Sequence, residues 1–151
     1  MRKDFSIKEV KTFARNGNIN EWVYDFLIGP GNNKGMAAGM KKREKSGSLF
    51  WIGPIFFPLK NLIRCCGPEK TMEYPQTQKS WEVRVNALKK SIQKGWEPPV
   101  LIANPRPWPI LSLRDGNHRH EALKRTKKRK YWTLFWFENK KERDSFAKKY
   151  L

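Results

Sequence analysis

Histidine and cysteine are scarce, at two each in 151 residues, and acidic side chains are few, with 14 Asp plus Glu against 32 Lys plus Arg. Cys65 and Cys66 are adjacent, which disfavours an ordinary disulfide between them, and two thiols are too few for a zinc site. Both are expected to be small buried apolar residues. Long apolar runs are also lacking. Met1-Arg2-Lys3-Asp4 leads into none, so neither a secretory signal nor a membrane span is expected, and the expected location is cytoplasmic. The shortage of carboxylates leaves a net charge of +18. Such a surface attracts polyanions, which points to nucleotides and nucleic acid as partners and says nothing about fold. A plainly solvated basic surface is the competing reading. The length suits one ordinary domain with additions and a real core.

Along the chain, Ser6 and Glu9 form a capping box for a first helix with Ile7, Val10, Phe13 and Ala14 on one face. Asn20 is placed to cap a second helix carrying Trp22, Val23, Phe26 and Leu27, which stops before Gly29-Pro30-Gly31. Residues 1–30 are therefore expected to form a helical hairpin, either packed on a sheet or acting as a partner-binding cap. Residues 31–48, rich in Gly, Asn, Ser and Lys, read as a basic flexible linker with one helical turn at 36–40, or as an arm that orders on an anion. The core is expected to begin with strand runs at 49–52 and 55–57, broken by Gly53-Pro54, followed by a short helix over 59–66. The loop at 67–75 carries Glu69 and Glu73, whose simplest role is surface charge balance.

Residues 80–94 form the clearest helix. Ser80 caps it, Trp81, Val85, Leu88 and Ile92 face a sheet, and Arg84, Lys89, Lys90 and Lys94 point outward. Short strands at 100–103 and 110–113 flank a proline-held turn. Residues 131–137, large and apolar on both faces, read as a central strand. Asn139 with Glu142 starts a last helix docked by Phe146 and Tyr150. Trp81, Trp132 and Trp136 fit core packing better than base stacking.

One stretch organises the chemistry: residues 111–125, Leu-Ser-Leu-Arg-Asp-Gly-Asn-His-Arg-His-Glu-Ala-Leu-Lys-Arg. It reads as strand, tight turn at Asp115-Gly116, then helix. A helix that starts straight after a glycine turn presents unpaired N–H groups and the positive end of its dipole to an anion. Gly116, Asn117 and His118 would supply backbone N–H groups and Arg119 a planar fork. Asp115 is the candidate magnesium ligand or base, and His118 a phosphate contact or an ordinary helix-start histidine. Lys124, Arg125, Lys127, Lys128, Arg129 and Lys130 follow as the densest basic run, placed to track the backbone phosphates of a nucleic acid.

Asp115-Gly116-Asn117-His118-Arg119, followed by Ala122-Leu123, resembles the signature of the ParB/sulfiredoxin superfamily, whose Gly-x-x-Arg-x-x-Ala core is here Gly116, Arg119 and Ala122. The resemblance extends upstream through Trp96-Glu97-Pro98-Pro99-Val100-Leu101-Ile102 to Phe56-Phe57-Pro58-Leu59, and covers residues 49–137. It implies an α+β fold, a small mixed sheet flanked by helices, over residues 49–151, with the hairpin as an N-terminal extension. It also implies a nucleoside triphosphate or diphosphate (ATP, ADP or CTP) with Mg2+ at Gly116 to Arg119. Sulfiredoxin chemistry needs a nucleophilic cysteine one residue before His-Arg, and Asn117 stands there, so that activity is not expected. In the superfamily's amino-acid kinases a glutamate ahead of the corresponding helix takes part in catalysis, and Glu69 and Glu73 are the positions that match it. About fourteen residues follow Phe137, fewer than the helix-turn-helix domain of partition ParB proteins needs. Three functions follow as expectations. The first is a ParB-like nucleotide-binding protein that hydrolyses or transfers a phosphoryl group in a nucleic-acid context, whether as phosphohydrolase, phosphotransferase or nuclease. The second is a free amino-acid (serine-type) kinase using Asp115, His118 and Glu69. The third is a non-enzymatic DNA-binding module.

Overall fold

The structure is a computed structural model that describes residues 3–151. It is a mixed α+β fold with six α-helices among the described residues and a five-stranded mixed sheet. The sheet strands are β1 (Phe50–Pro58), β2 (Ile63–Arg64), β5 (Leu101–Pro105), β6 (Leu111–Asp115) and β7 (Lys130–Phe137), in the order β1-β7-β5-β6-β2. β7 runs antiparallel to β1 and parallel to β5, and β6 is antiparallel to β5 and parallel to β2. A separate small ladder joins β3 (Cys66–Gly67) to β4 (Tyr74–Pro75).

β7 is the central strand that its composition requires, with Thr133, Leu134, Phe135 and Phe137 fully buried. The two strand runs before it are one strand, because the pairing jumps from Ile52 with Phe135 to Ile55 with Thr133 and lets Gly53-Pro54 bulge out. A side chain at Gly53 would start 2.9 Å from the Thr133 carbonyl, and its φ is 112°, so only glycine serves there. The expected helix over 59–66 is absent. Leu59–Asn61 make a single 3-10 turn and Ile63–Arg64 extend into β2, because Leu59 and Leu62, three residues apart, are buried together by that one turn.

The hairpin is α1 (Ile7–Arg15) and α2 (Ile19–Ile28). Ser6 caps α1 by accepting from Glu9 N, and the Glu9 carboxylate takes the N–H groups of Asp4 and Phe5 and, at 2.8 Å, the Trp22 indole. Asn20 does not cap α2, whose N-cap is Asn18. It lies in the first helical turn, donating to Glu44 and accepting from Trp51 Nε1, so it ties α2 to the following helix and to β1.

That following helix corrects the linker expectation: residues Lys34–Lys45 form α3, capped by the Asn33 side chain on Met36 N. Composition suggested disorder, yet Met36, Ala37 and Met40 share one face, and Ala37 and Met40 are buried in the main core with Trp22, Phe26 and Leu27. α4 (Gln78–Gln93) starts before Ser80, with Thr77 as its cap. Its apolar face meets α5 (Asn117–Arg125) rather than the sheet, through Trp81, Val85 and Ala122. At the other end α6 (Lys140–Tyr150), capped by Asn139, inserts Phe146 among Phe57, Phe135, Phe137 and Tyr150. Trp81 and Trp136 are buried as expected, while Trp132 is half-buried under the Lys11 ammonium. Among the described residues no helix is long and apolar enough to cross a membrane.

Truncating Met40 tests the placement of α3. Met40→Ala is expected to cost about 2 to 5 kcal/mol in urea denaturation, as for other large-to-small changes in a core, whereas a solvated linker would show almost no change.

Candidate functional site

β6 ends at Asp115, and Gly116 turns the chain with φ 96°. A side chain there would start 2.6 Å from an Arg119 guanidinium nitrogen and 2.7 Å from a Leu101 methyl, so the close approach as well as the left-handed backbone demands glycine. α5 begins at Asn117 with no side-chain cap, and its first turn therefore keeps unpaired N–H donors. These open into a cleft of about 480 Å³. Its walls are the α2–α3 connection at Pro30 to Asn33, Arg84 and Leu88 of α4, the joint residues Trp96 and Pro99, Gln76, and the turn itself.

Three arginines line this cleft, Arg84, Arg114 and Arg119, against one carboxylate, Asp115. Arg119 is buried, 9% exposed, with Nη2 donating to Asp115 Oδ2 at 2.9 Å and Nη1 to the Pro99 carbonyl at 3.4 Å. The free phosphate fork expected of Arg119 is thus engaged. Burial pushes the Asp115 carboxyl up against the pull of Arg119, and burial likewise lowers Arg119. Arg114 grips Glu73 through both terminal nitrogens at 3.0 and 2.9 Å. Arg84 is exposed and forms no ion pair among the described residues, which leaves it as the uncommitted cation of the cleft.

Asn117 contributes by its backbone only. Its Oδ1 accepts from Cys65 N at 2.9 Å and Cys66 N at 3.2 Å, and its Nδ2 donates to the Leu113 carbonyl at 3.2 Å. The side chain that stands where a nucleophilic cysteine would be needed is a clamp between the chain after β2 and the start of α5. Cys65 is buried and Cys66 half-buried, with both thiols pushed up by burial.

His118 is half-buried and held by its neighbours. Burial first, then the nearby Arg84, Arg119 and Arg64, lower its pKa to about 4, so the ring is neutral near pH 7. Nε2 lies 2.9 Å from Gln76 Oε1; an amide oxygen only accepts, so Nε2 carries the proton. The ring rests on Trp81 with centroids 4.7 Å apart. By the same logic His120 Nε2 donates to the Leu59 carbonyl at 2.8 Å, a structural tie 3% exposed.

Glu69 does not join Asp115. It pairs with Arg64 at 2.5 Å and lines a different cavity, with Glu82, Glu121 and Arg125. Of the two loop glutamates, Glu73 is the one linked to the turn, through Arg114. Arg125 also departs from expectation: it holds both oxygens of Glu82 at 2.7 Å and Glu121 at 3.0 Å, so its fork is not open to a phosphate. Lys124, Lys127, Lys128, Arg129 and Lys130 are all exposed.

Sequence reasoning overlooks Arg84 and Trp96 at the cleft. Arg84 is exposed as its place on α4 implies, but packing of α4 on α5 sets that exposed side chain on the rim of the cleft. Trp96, 40% exposed, directly follows the helix-ending Gly95, and a large aromatic at such a joint is the signal that could have found it. Among the described residues no three His, Cys, Asp or Glu come together to hold a metal ion, and Asp115, the one carboxylate of the cleft and the candidate Mg2+ ligand, is engaged by Arg119. No family model matches the chain, and neither a curated protein nor a solved structure is found similar to it.

The lowered pKa of His118 has a stability consequence. The unfolded chain takes up this proton near 6.5 and the folded one only near 4, so stability is full above pH 6.5 and is lost as pH falls toward 4. Urea midpoints should show a loss of about 2 to 3 kcal/mol between pH 7 and roughly pH 4.5 that is missing from His118→Gln. Because burial shifts Asp115 upward, its contribution runs the opposite way, and the comparison of parent with His118→Gln isolates the histidine.

Proposed function

We propose that this protein is a ParB/sulfiredoxin-like binder of nucleoside diphosphates or triphosphates, ATP, ADP or CTP, that works at nucleic acid. The observation that carries this reading is the uncapped start of α5, opening into a cleft that also holds an arginine without a carboxylate partner. Phosphate oxygens would take the first-turn N–H groups of α5 and the Arg84 guanidinium, a combination of helix dipole and charge-assisted hydrogen bonds suited to polyphosphate. Trp96 and Leu88 offer the base an aromatic and apolar wall. Arg119 acts beneath the ligand as a positioning residue that holds the turn.

Hydrolysis or transfer of a phosphoryl group needs a base, and Asp115 is the one carboxylate of the cleft, with its proton affinity raised by burial. Mg2+ arriving with the nucleotide would be held by its phosphates, with Asp115 as the carboxylate of the cleft that could reach it. The serine-type kinase reading draws no support from Glu69, which is held by Arg64 elsewhere. A purely DNA-binding role, with the start of α5 holding a backbone phosphate and the exposed lysines after it tracking the strand, leaves the Trp96 and Leu88 wall of the cleft without an occupant.

Calorimetry with ATP is the direct test. Arg84→Gln should weaken binding by about 1.5 to 3 kcal/mol, the range for charge-assisted hydrogen bonds, and Trp96→Ala by about 1 to 3 kcal/mol as a stacked base loses its platform. The Trp96 change should leave inorganic tripolyphosphate untouched. Unaltered ATP affinity in a folded Arg84→Gln protein removes the cleft as the nucleotide site. Arg119→Ala is a poor substitute, because stranding buried Asp115 would cost about 3 to 5 kcal/mol of fold stability.

Contact with nucleic acid is read from salt dependence. Replacing Lys127, Lys128, Arg129 and Lys130 with Gln should flatten the log–log slope of duplex DNA affinity against salt by about 0.9 for each phosphate that the run neutralises. Equal slopes for parent and variant would show that the run only keeps the surface hydrated.

A further inference from the structure

On the edge strand β1 the ring of Phe56 is 49% exposed, while its neighbour Phe57 is buried on the opposite face. A single exposed apolar side chain is ordinary; the setting of this one is not. Phe56 lies directly across from Trp132 of β7 and Pro58 from Lys130, so Phe56, Trp132 and Lys130 share one face of the sheet. The two rings meet at 5.2 Å between centroids, tilted by 49°. Trp132 is already covered, because the Lys11 ammonium of α1 sits 3.4 Å from the centre of its ring. Phe56 is therefore the ring that stays open, with Trp132 as its buttress.

Two groups of cations border it. Lys8, Lys11 and Arg15 fall at i, i+3 and i+7 along α1 and line one side of that helix, the side that Lys11 brings against Trp132. The second group comes from the chain beyond Pro58. There Leu59 N donates to the Arg129 carbonyl at 2.9 Å, which sets Lys60 of the 3-10 turn beside Arg129 and Lys130 at the start of β7. Lys130 stands about 7 Å from Trp132 along the strand. Lys8, Arg15, Lys60, Arg129 and Lys130 are exposed, and none of the six forms an ion pair among the described residues.

We propose that this face docks single-stranded nucleic acid, with one base stacked on Phe56 and the adjoining phosphates on Lys130, Lys60 and the α1 cations. An open aromatic ring among unpaired cations suits a single strand, whose bases are free to stack on a side chain while its phosphates meet positive charge. A duplex keeps its bases stacked on one another and has none to offer the ring. The proposal deepens the nucleic-acid part of the functional reading and rests on it. It does not involve the cleft, since none of these residues lines it.

The test titrates the full chain into a labelled oligothymidylate, an abasic strand of equal length and a duplex, with fluorescence anisotropy as the readout. The parent should prefer the oligothymidylate to the abasic strand by about five- to a hundredfold, the range for one stacked base. Phe56→Leu, which keeps an apolar contact with Trp132 and removes the ring, should abolish that preference and leave the duplex affinity and the ATP affinity unchanged. Phe56→Tyr should retain it. Changing Lys8 and Arg15 together to Gln should keep the preference and flatten the log–log salt slope by about 0.7 for each phosphate released. Equal affinity of the parent for the oligothymidylate and the abasic strand, or a preference that survives in a folded Phe56→Leu protein, overturns the stacking site; salt-dependent duplex binding in the same experiment would leave the broader nucleic-acid reading in place. A parent that binds none of the three overturns both.

Discussion

Asp115 and Arg119 meet at 2.9 Å across the turn from β6 to α5, both almost out of reach of solvent. A buried ion pair repays its desolvation only when further hydrogen bonds and packing complete it. Here the Arg119 guanidinium also reaches the Pro99 carbonyl and lies 5.5 Å from the Phe26 ring of α2. Four parts of the chain thus converge on one side chain: the hairpin, the joint before β5, the end of β6 and the start of α5. Gly116 is the backbone condition for that convergence, because any side chain there would strike the guanidinium. The cleft above the pair is shaped by the same contacts, so α2 and the α2–α3 connection form a wall of the site, and α3 shares their core.

Few carboxylates and many cations make the placement of each carboxylate decisive. Glu9 ties α1 to Trp22, Glu44 joins α3 to α2, Glu73 clamps Arg114 and Arg106, Glu82 takes Arg125, and Glu138 takes Arg43. Most are exposed pairs, worth about 1 kcal/mol or less apiece. Their larger effect is to commit particular arginines and leave others open. Among the cations left without a carboxylate are Arg84 in the cleft and, Arg125 apart, the exposed basic side chains from Lys124 to Lys130.

The two histidines show how burial decides chemistry. Each spends Nε2–H on a protein acceptor, Gln76 for His118 and the Leu59 carbonyl for His120, and burial keeps each ring toward its neutral form. They hold the helix start in place, and the charge at the cleft comes from arginine and from the helix itself.

Local features of the chain were legible directly. The Ser6 and Asn139 caps, the strand, turn and helix around Gly116, and β7 as an interior strand all rest on interactions within about four residues or on the apolarity of a single segment. The turn residues Asp115 to Arg119 were read as one unit for the same reason. What the sequence could not carry were partnerships between distant residues: Asn117 with the backbone of Cys65, 52 positions away, Arg43 with Glu138, 95 away, and Arg125 with Glu82, 43 away. α3 looked like a linker because its burial depends on α2 lying alongside, and that the exposed Arg84 borders the cleft was hidden because α4 was assigned to the sheet rather than to α5. Composition and periodicity determined which segments become helices and strands; which arginine stays free to meet an anion was decided only when the sheet order brought those segments together, since a guanidinium's role is set by the carboxylate it can reach.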